Sequence, residues 1–176
     1  MEMKKQKNRW IMLFCICCNT FCFGGVYAWS AFSGELANYM GWDYSKVTVA
    51  YSIMLMCVAL MGLVGGMLLQ RFGARKLMIA AGIMWGLGWF ATGMAGSIIM
   101  LYASFGILAG CASGFGYNPG VVTAVSWFPD KKGFASGMAV GTCGMASLIV
   151  APLANFLLTR FNVMTAFRLV GGMFLV

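Results

Sequence analysis

Few side chains in this sequence could carry out acid–base, nucleophilic or metal chemistry. The chain has 176 residues, no histidine and only four acids, Glu2, Glu35, Asp43 and Asp130. General acid–base catalysis needs an ionisable group within hydrogen-bond reach of the proton that it moves. None of the four acids lies inside a long apolar run beside a base or a nucleophile. We therefore predict that the chain is not an enzyme and that it uses no cofactor.

The seven cysteines are predicted to be packing residues and not metal ligands. A structural zinc site needs four ligands closed around the ion, usually thiolates and imidazoles. The cysteines lie within apolar runs, and no histidine is present to complete a ligand set. In such surroundings a cysteine behaves as a small hydrophobic side chain.

Charged residues are confined to short clusters between long apolar runs. The composition is 61% hydrophobic and 9% charged, whereas about 25% of the residues in a soluble domain are charged. No charge occurs between Leu77 and Pro129, a segment that would be about 80 Å long as one helix. Because lipid can cover such a surface and water cannot, the sequence predicts an all-α integral membrane protein.

The apolar runs predict six transmembrane helices, the last one incomplete. A span needs about 20 apolar residues, and the long uncharged segment is divided at Gly96 and Ser97 because both residue types suit turns. The first run is too long for the apolar region of a signal peptide, so it is predicted to stay as an anchor. The predicted spans are about 10–32, 47–69, 77–95, 99–127, 134–158 and 163–176.

The basic residues predict an N-terminus on the cytoplasmic side of the plasma membrane. Nine of the 12 basic residues lie at positions 4–9, 71–76 and 131–132, which fall on one side of the predicted topology. Cytoplasmic loops carry such an excess, and a nucleic-acid interface would instead show a basic stripe along one face. Arg168 is the cation at membrane depth, and we expect it to extend to the outer interface.

Glycines recur four residues apart in several predicted spans. Small residues at this spacing let helix backbones approach closely. The sequence therefore predicts close helix packing along these rows, which are Gly62/Gly66, Gly82/Gly86, Gly106/Gly110/Gly114 and Gly133/Gly137/Gly141.

The segment GMLLQRFGARK, residues 66–76, resembles the signature cytoplasmic loop of the major facilitator superfamily, Gly-x-Leu-x-Asp-Arg-x-Gly-Arg/Lys. Gly73 permits a tight turn at positive φ. The basic residues are expected beside the C-terminus of span two, where the helix dipole favours cations. Gln70 stands where the family has Asp, so an ion pair is replaced by a hydrogen-bonding group. The resemblance implies a gating loop that contains Gly66, Gln70, Arg71, Gly73, Arg75 and Lys76.

Three further segments resemble the oxalate/formate antiporter family, which is related to the monocarboxylate transporters. They are NRW at 8–10, YAWSAF at 27–32 and WFPDKKGFASG at 127–137. Pro129 is expected to end span four; Asp130 would then precede the N-terminus of span five, and with Lys131 it belongs to a second gating loop. The resemblance implies the N-terminal six-helix half of a transporter made of two such halves, with the second half absent from this sequence.

The resemblance also implies a substrate cavity lined by spans one and four. Its candidate residues are Tyr27, Trp29, Tyr51, Tyr117 and Asn118. Aromatic rings can enclose a small anion, and tyrosyl hydroxyls can donate hydrogen bonds to carboxylate oxygens. For Tyr27 and Trp29 the alternative is the interfacial aromatic belt, and for Tyr51 it is helix packing.

Two residue-level features modify this cavity. Pro119 frees a backbone carbonyl one turn earlier, and irregular backbone at membrane depth is tolerated where protein or a wet cavity meets it. Cys143 occupies a span-five position where the family can carry an aromatic residue, so its small side chain would enlarge the cavity.

Together these features predict a secondary active transporter of small organic anions in the lipid bilayer, of the oxalate/formate or monocarboxylate type. Exchange would proceed by alternating access. Two alternatives remain open: a major facilitator transporter of another solute such as a sugar or a drug, and an inactive truncated membrane fragment.

Overall fold

The structure, a computed structural model, describes residues 2–175, with side chains from Arg9 onward. The side chain of Asn8 and the predicted end of span six at Val176 lie outside this description. The described chain is helical almost throughout and folds as a helix bundle. Its elements are α1 (Glu2–Phe23), a 3₁₀ segment (Gly24–Ala28), α2 (Trp29–Met40), α3 (Tyr44–Phe72), α4 (Ala74–Thr92), α5 (Ile98–Leu101), a π-helical segment (Tyr102–Ala109), α6 (Gly110–Trp127), α7 (Lys132–Arg160) and α8 (Val163–Leu175).

Local sequence accounts for the helix boundaries. The Asp43 carboxylate accepts a hydrogen bond from the Ser45 amide at 3.0 Å and begins α3, and the Ser97 hydroxyl accepts one from the Met100 amide at 3.3 Å and begins α5. Such short polar side chains satisfy amides that a helix N-terminus leaves free. Gly41 and Gly73 adopt positive φ, 65° and 79°, where the chain reverses after α2 and α3; the positive φ predicted for Gly73 is thus confirmed.

Four of the described helical runs are long and apolar enough to cross a membrane. They are Arg9–Met40, Tyr44–Phe72, Ile98–Trp127 and Lys132–Arg160, and Val163–Leu175 is a shorter apolar helix. The 19 residues of α4 would extend about 28 Å. The helices extend beyond the apolar runs read from the sequence. The positions at which they enter and leave the bilayer stay a prediction.

The contact between α3 and α6 shows that these two helices are parallel. A Cβ added at Gly106 would lie 2.9 Å from Ile53, and one at Gly114 would lie 2.8 Å from Met61. The paired positions rise together along both helices, so Phe72 and Trp127 end α3 and α6 on the same side of the bundle. We call this side the Arg9 end, because Arg9 contacts Asp130 there.

Only part of the predicted glycine packing occurs. The row Gly106, Gly110 and Gly114 lies directly against α3, and Gly86 lies against α8. The row Gly133, Gly137 and Gly141 instead meets nothing within 4 Å among the described residues, and the same is true of Gly66 and Gly82. The packing prediction is wrong for these positions, because their helix faces point away from the described bundle.

A cluster of aromatic rings forms the core at the other end. Trp89 contacts Phe32, Phe105 and Phe167 with ring centroids 5.6–5.8 Å apart. Aromatic pairs at such distances and tilts are favourable beyond the area that they bury. The rings come from α2, α4, the π-helical segment and α8, so this core joins spans one, three, four and six.

Arg168 has a specific partner at the same end. Its Nε donates a hydrogen bond to the Gly93 carbonyl at 2.7 Å. Gly93 follows the last residue of α4, where carbonyl groups lack intrahelical partners. The side chain that the sequence predicts as an interface cation therefore also caps α4.

Candidate functional site

Three of the candidate tyrosines lie on three packed elements and stay at least partly accessible, and we call them the tyrosine cluster. Tyr27 belongs to the 3₁₀ segment, Tyr51 to α3 and Tyr117 to α6. The 3₁₀ segment that carries Tyr27 packs against Cys143 of α7 at Gly24, and the helices that carry Tyr51 and Tyr117, α3 and α6, pack against each other. Tyr27 is 54% exposed, and Tyr51 and Tyr117 are half-buried. All three tyrosine side chains are thus at least partly accessible.

The tyrosine cluster extends from the middle of the bundle towards the end opposite Arg9. At about 1.5 Å per residue, Tyr117 lies about 15 Å from the Arg9 end of α6. By the same measure Tyr51 lies about 31 Å from the Arg9 end of α3. The cluster is therefore a slanted strip that begins near mid-depth.

Two glycines bring Tyr27 into this position. Gly24 packs against the Cys143 carbonyl and Ala146 of α7, and a Cβ added at Gly25 would lie 2.6 Å from Phe174 of α8. Without side chains, this part of the chain approaches both helices closely, and it adopts the tighter 3₁₀ form. Tyr27 follows on the exposed side.

The structure places Trp29 outside the tyrosine cluster. Its side chain is 4% exposed, and its ring stacks on Phe105 with centroids 3.9 Å apart. It therefore belongs to the aromatic core, and in this conformation it offers no surface to a substrate. The aromatic-belt alternative is equally unsupported for this side chain.

Asn118 lies in the contact between α3 and α6. Its amide occupies the space beside Gly62 of α3. The helix also continues through Pro119; the irregular backbone lies earlier, in the π-helical segment Tyr102–Ala109. The carbonyl that Pro119 is expected to free therefore lies within a continuous helix.

The loop between α3 and α4 is shorter than expected. Arg71 lies in the last turn of α3, but Arg75 and Lys76 fall within the first turn of α4. The dipole argument therefore holds for Arg71 and fails for Arg75 and Lys76, because a helix N-terminus disfavours cations. Gln70, Arg71, Arg75 and Lys76 are exposed, and Gly66 lies within α3.

Asp130 has a partner that sequence reasoning missed. Its carboxylate pairs with the Arg9 guanidinium at 3.0 Å and makes no cap on α7, whose first turn follows Lys131. The expected place of Asp130 just before span five is confirmed, since α7 begins at Lys132, but its carboxylate turns towards α1. Both residues belong to segments that carried the family resemblance, but their separation of 121 residues hid the contact.

A hollow of about 430 Å³ opens at the turn between α7 and α8. It is separate from the tyrosine cluster, because none of the three tyrosines belongs to its lining. Its lining residues are Leu158, Thr159, Arg160, Phe161, Asn162 and Thr165.

Long apolar helices that pack closely at glycines define a multi-pass membrane protein. Comparison with known proteins identifies the particular family. The model of the Major Facilitator Superfamily matches residues 9–176. The chain belongs to the major facilitator superfamily.

Several similar proteins are transporters. The chain is 36% identical over 143 residues to the uncharacterised MFS-type transporter YhjX of Escherichia coli, 32% identical over 165 residues to the oxalate:formate antiporter of Oxalobacter formigenes, and 29% identical over 167 residues to monocarboxylate transporter 3 of the mouse. These matches cover 81%, 93% and 94% of this chain. They confirm the family resemblance read from the sequence and agree with the prediction that the chain is not an enzyme.

The chain spans between 34% and 39% of the length of these relatives. The family match covers residues 9–176 of this chain. The activity of a whole transporter therefore belongs to the proposal that follows.

Proposed function

We propose that this bundle is the N-terminal half of a secondary transporter that exchanges small organic anions of the oxalate/formate or monocarboxylate type. The tyrosine cluster is the observation that supports this proposal best. It supplies phenol donors and aromatic faces without a fixed acid, and hydrogen bonds from neutral donors to a carboxylate are charge-assisted. The relatives named above supply the substrate class.

In this proposal Tyr27 and Tyr117 donate hydrogen bonds to carboxylate oxygens, and Tyr51 closes one side of the site. Cys143 leaves room beside Tyr117. Trp29 has an indirect role: it stabilises the aromatic core that supports the 3₁₀ segment. Asn118 would fix the approach of α6 to α3.

The proposal includes a second six-helix bundle that faces the tyrosine cluster and completes the cavity. The two bundles would rock against each other to give alternating access. The N-terminus and the Arg9 end would lie in the cytoplasm, at the plasma membrane. The loops that contain Gly66, Gln70, Arg71, Gly73, Arg75, Lys76, Asp130 and Lys131 would gate that side.

The test uses the full-length product of the gene, reconstituted in liposomes that are loaded with oxalate, formate, lactate or pyruvate. Exchange of a labelled carboxylate is compared for wild type, Tyr117→Phe and Tyr117→Ala. A hydrogen bond to a charged group contributes about 1.5–3 kcal/mol, so Tyr117→Phe should raise KM about tenfold or more. Tyr39→Phe is the control, because Tyr39 is exposed on α2 outside the cluster.

Three results would count against parts of the proposal. Unchanged exchange by Tyr117→Ala at equal reconstitution would remove Tyr117 from the site. Exchange of a sugar or a drug, but of no carboxylate, would leave a transporter of another solute. The absence of any exchange by a folded full-length protein would refute the proposed transport of carboxylates.

A further inference from the structure

One arginine joins the first and fourth spans at the Arg9 end. Arg9 donates from Nε to the Trp127 carbonyl at 2.8 Å and from a terminal nitrogen to the Asp130 carboxylate at 3.0 Å. Its guanidinium also lies over the Phe128 ring, 4.9 Å from the centroid. We call this set, Arg9 with Trp127, Phe128 and Asp130, the Arg9 clasp.

Trp10 extends the contact by one residue. Its ring meets Phe128 edge-on at 5.5 Å and Phe134 of α7 at 6.1 Å. The start of the first span is therefore held against both the end of α6 and the start of α7.

The contacts of the clasp differ in strength. Asp130 is 71% exposed, whereas Arg9 is 22% exposed. An exposed ion pair contributes little because water and salt screen it. The bond to Trp127 acts on a carbonyl at the C-terminus of α6, where partners are missing and the helix dipole favours a cation. The backbone bond and the ring contact should therefore dominate.

The clasp also has a geometric requirement. A planar guanidinium can donate from Nε and from a terminal nitrogen in fixed directions while its face covers an aromatic ring. A lysine ammonium is a point charge on a flexible stem, and it cannot reproduce these three contacts together. A charge-conserving substitution should thus fail.

We propose that Arg9 is a positioning residue of the transport site. The clasp fixes the Arg9 ends of the two spans that carry Tyr27 and Tyr117, and so it holds the spacing and register of these tyrosines. The inference rests on the proposed function, because its effect is measured as the KM for a carboxylate that Tyr27 and Tyr117 are proposed to bind. Arg9 itself lies about 27 Å along the first span from Tyr27 and does not touch the substrate.

The experiment compares Arg9→Gln, Arg9→Lys, Asp130→Asn and the Arg9→Gln/Asp130→Asn pair in the full-length protein. Carboxylate exchange in liposomes gives KM and the maximal rate per folded protein. We expect Arg9→Gln and Arg9→Lys to raise KM about three- to tenfold, and Asp130→Asn to raise it less than twofold. The pair should match Arg9→Gln alone. Arg160→Gln is the control, a basic residue at the opposite end with no part in the clasp.

A KM unchanged from wild type in Arg9→Gln would overturn the proposal, since a merely structural defect lowers the amount of active protein and leaves KM alone. Wild-type behaviour of Arg9→Lys would overturn the geometric requirement. If Arg9→Gln does not fold, Arg9→Lys and Asp130→Asn still decide between these outcomes.

Hydrogen exchange tests the clasp without a substrate. Amides of residues 10–16 and 122–128 should lose protection together in Arg9→Gln and Arg9→Lys and keep it in Arg160→Gln. If wild type exchanges no carboxylate, the proposed function fails but this measurement still stands. Unchanged protection in Arg9→Gln would then overturn the inference by itself.

Discussion

Replacing Gly110 with alanine tests the close contact between α3 and α6. The added Cβ would lie 2.8 Å from the Cβ of Cys57, 2.9 Å from the Met54 carbonyl oxygen and 3.1 Å from the Met54 Cα. Two of these three atoms belong to backbone. A rotamer change cannot relieve such contacts, so the two helices must separate.

Two opposing effects determine the size of the change. Overpacking costs about 1–3 kcal/mol, and alanine within a helix is more favourable than glycine by about 0.5–1 kcal/mol. The net loss for Gly110→Ala should thus lie between about 0 and 2.5 kcal/mol, with a central value of about 1 kcal/mol. Gly82 on α4 is the matched control, because a Cβ there meets no described residue within 4 Å. Gly82→Ala should show the favourable effect alone.

Tryptophan fluorescence during heating of the detergent-purified protein gives the unfolding midpoint. A change of 1 kcal/mol shifts the midpoint of a domain this size by about 2–4 °C. Gly110→Ala should lower the midpoint and Gly82→Ala should leave it equal or slightly higher. Carboxylate exchange should also weaken in Gly110→Ala, because Tyr117 lies on the displaced helix.

Equal midpoints for the two variants would refute the reasoning. They would show that α3 and α6 do not approach as closely as the structure has them. A lower midpoint in both variants would instead show that Gly82 is covered by something beyond the described residues.

Two further substitutions have definite expected outcomes. Gly73→Ala should destabilise the protein by about 1–3 kcal/mol, because φ 79° and ψ 156° suit glycine alone. Gly41→Asn is the control and should be tolerated, because asparagine can adopt φ 65° and ψ 26°. Equal unfolding midpoints for the two variants would contradict the strain argument. Arg168→Gln should lower the midpoint by removing the bond to the Gly93 carbonyl, worth about 1 kcal/mol; a loss no greater than that of Arg160→Gln would show that the cap is unimportant.

The sequence alone determined the class of protein and the family. A composition with 9% charged residues leaves lipid as the only solvent that can surround these helices, and no tertiary information is needed for that conclusion. The loop motifs at 66–76 and 127–137 indicated the superfamily, because turns and helix ends restrict the residue types at a few neighbouring positions. Gly73 shows this well, since its positive φ follows from its place in the loop.

Only the tertiary structure decided what each candidate side chain contacts. Trp29 and Tyr27 lie two residues apart, yet the first is buried in the aromatic core and the second is exposed beside Tyr117. Arg9 and Asp130 meet across 121 residues, and of two glycine rows with the same spacing one packs and the other does not. Periodicity defines a face of a helix, but it does not say which neighbour covers that face. The neighbour depends on how the helices are arranged, and that arrangement results from packing over the whole bundle.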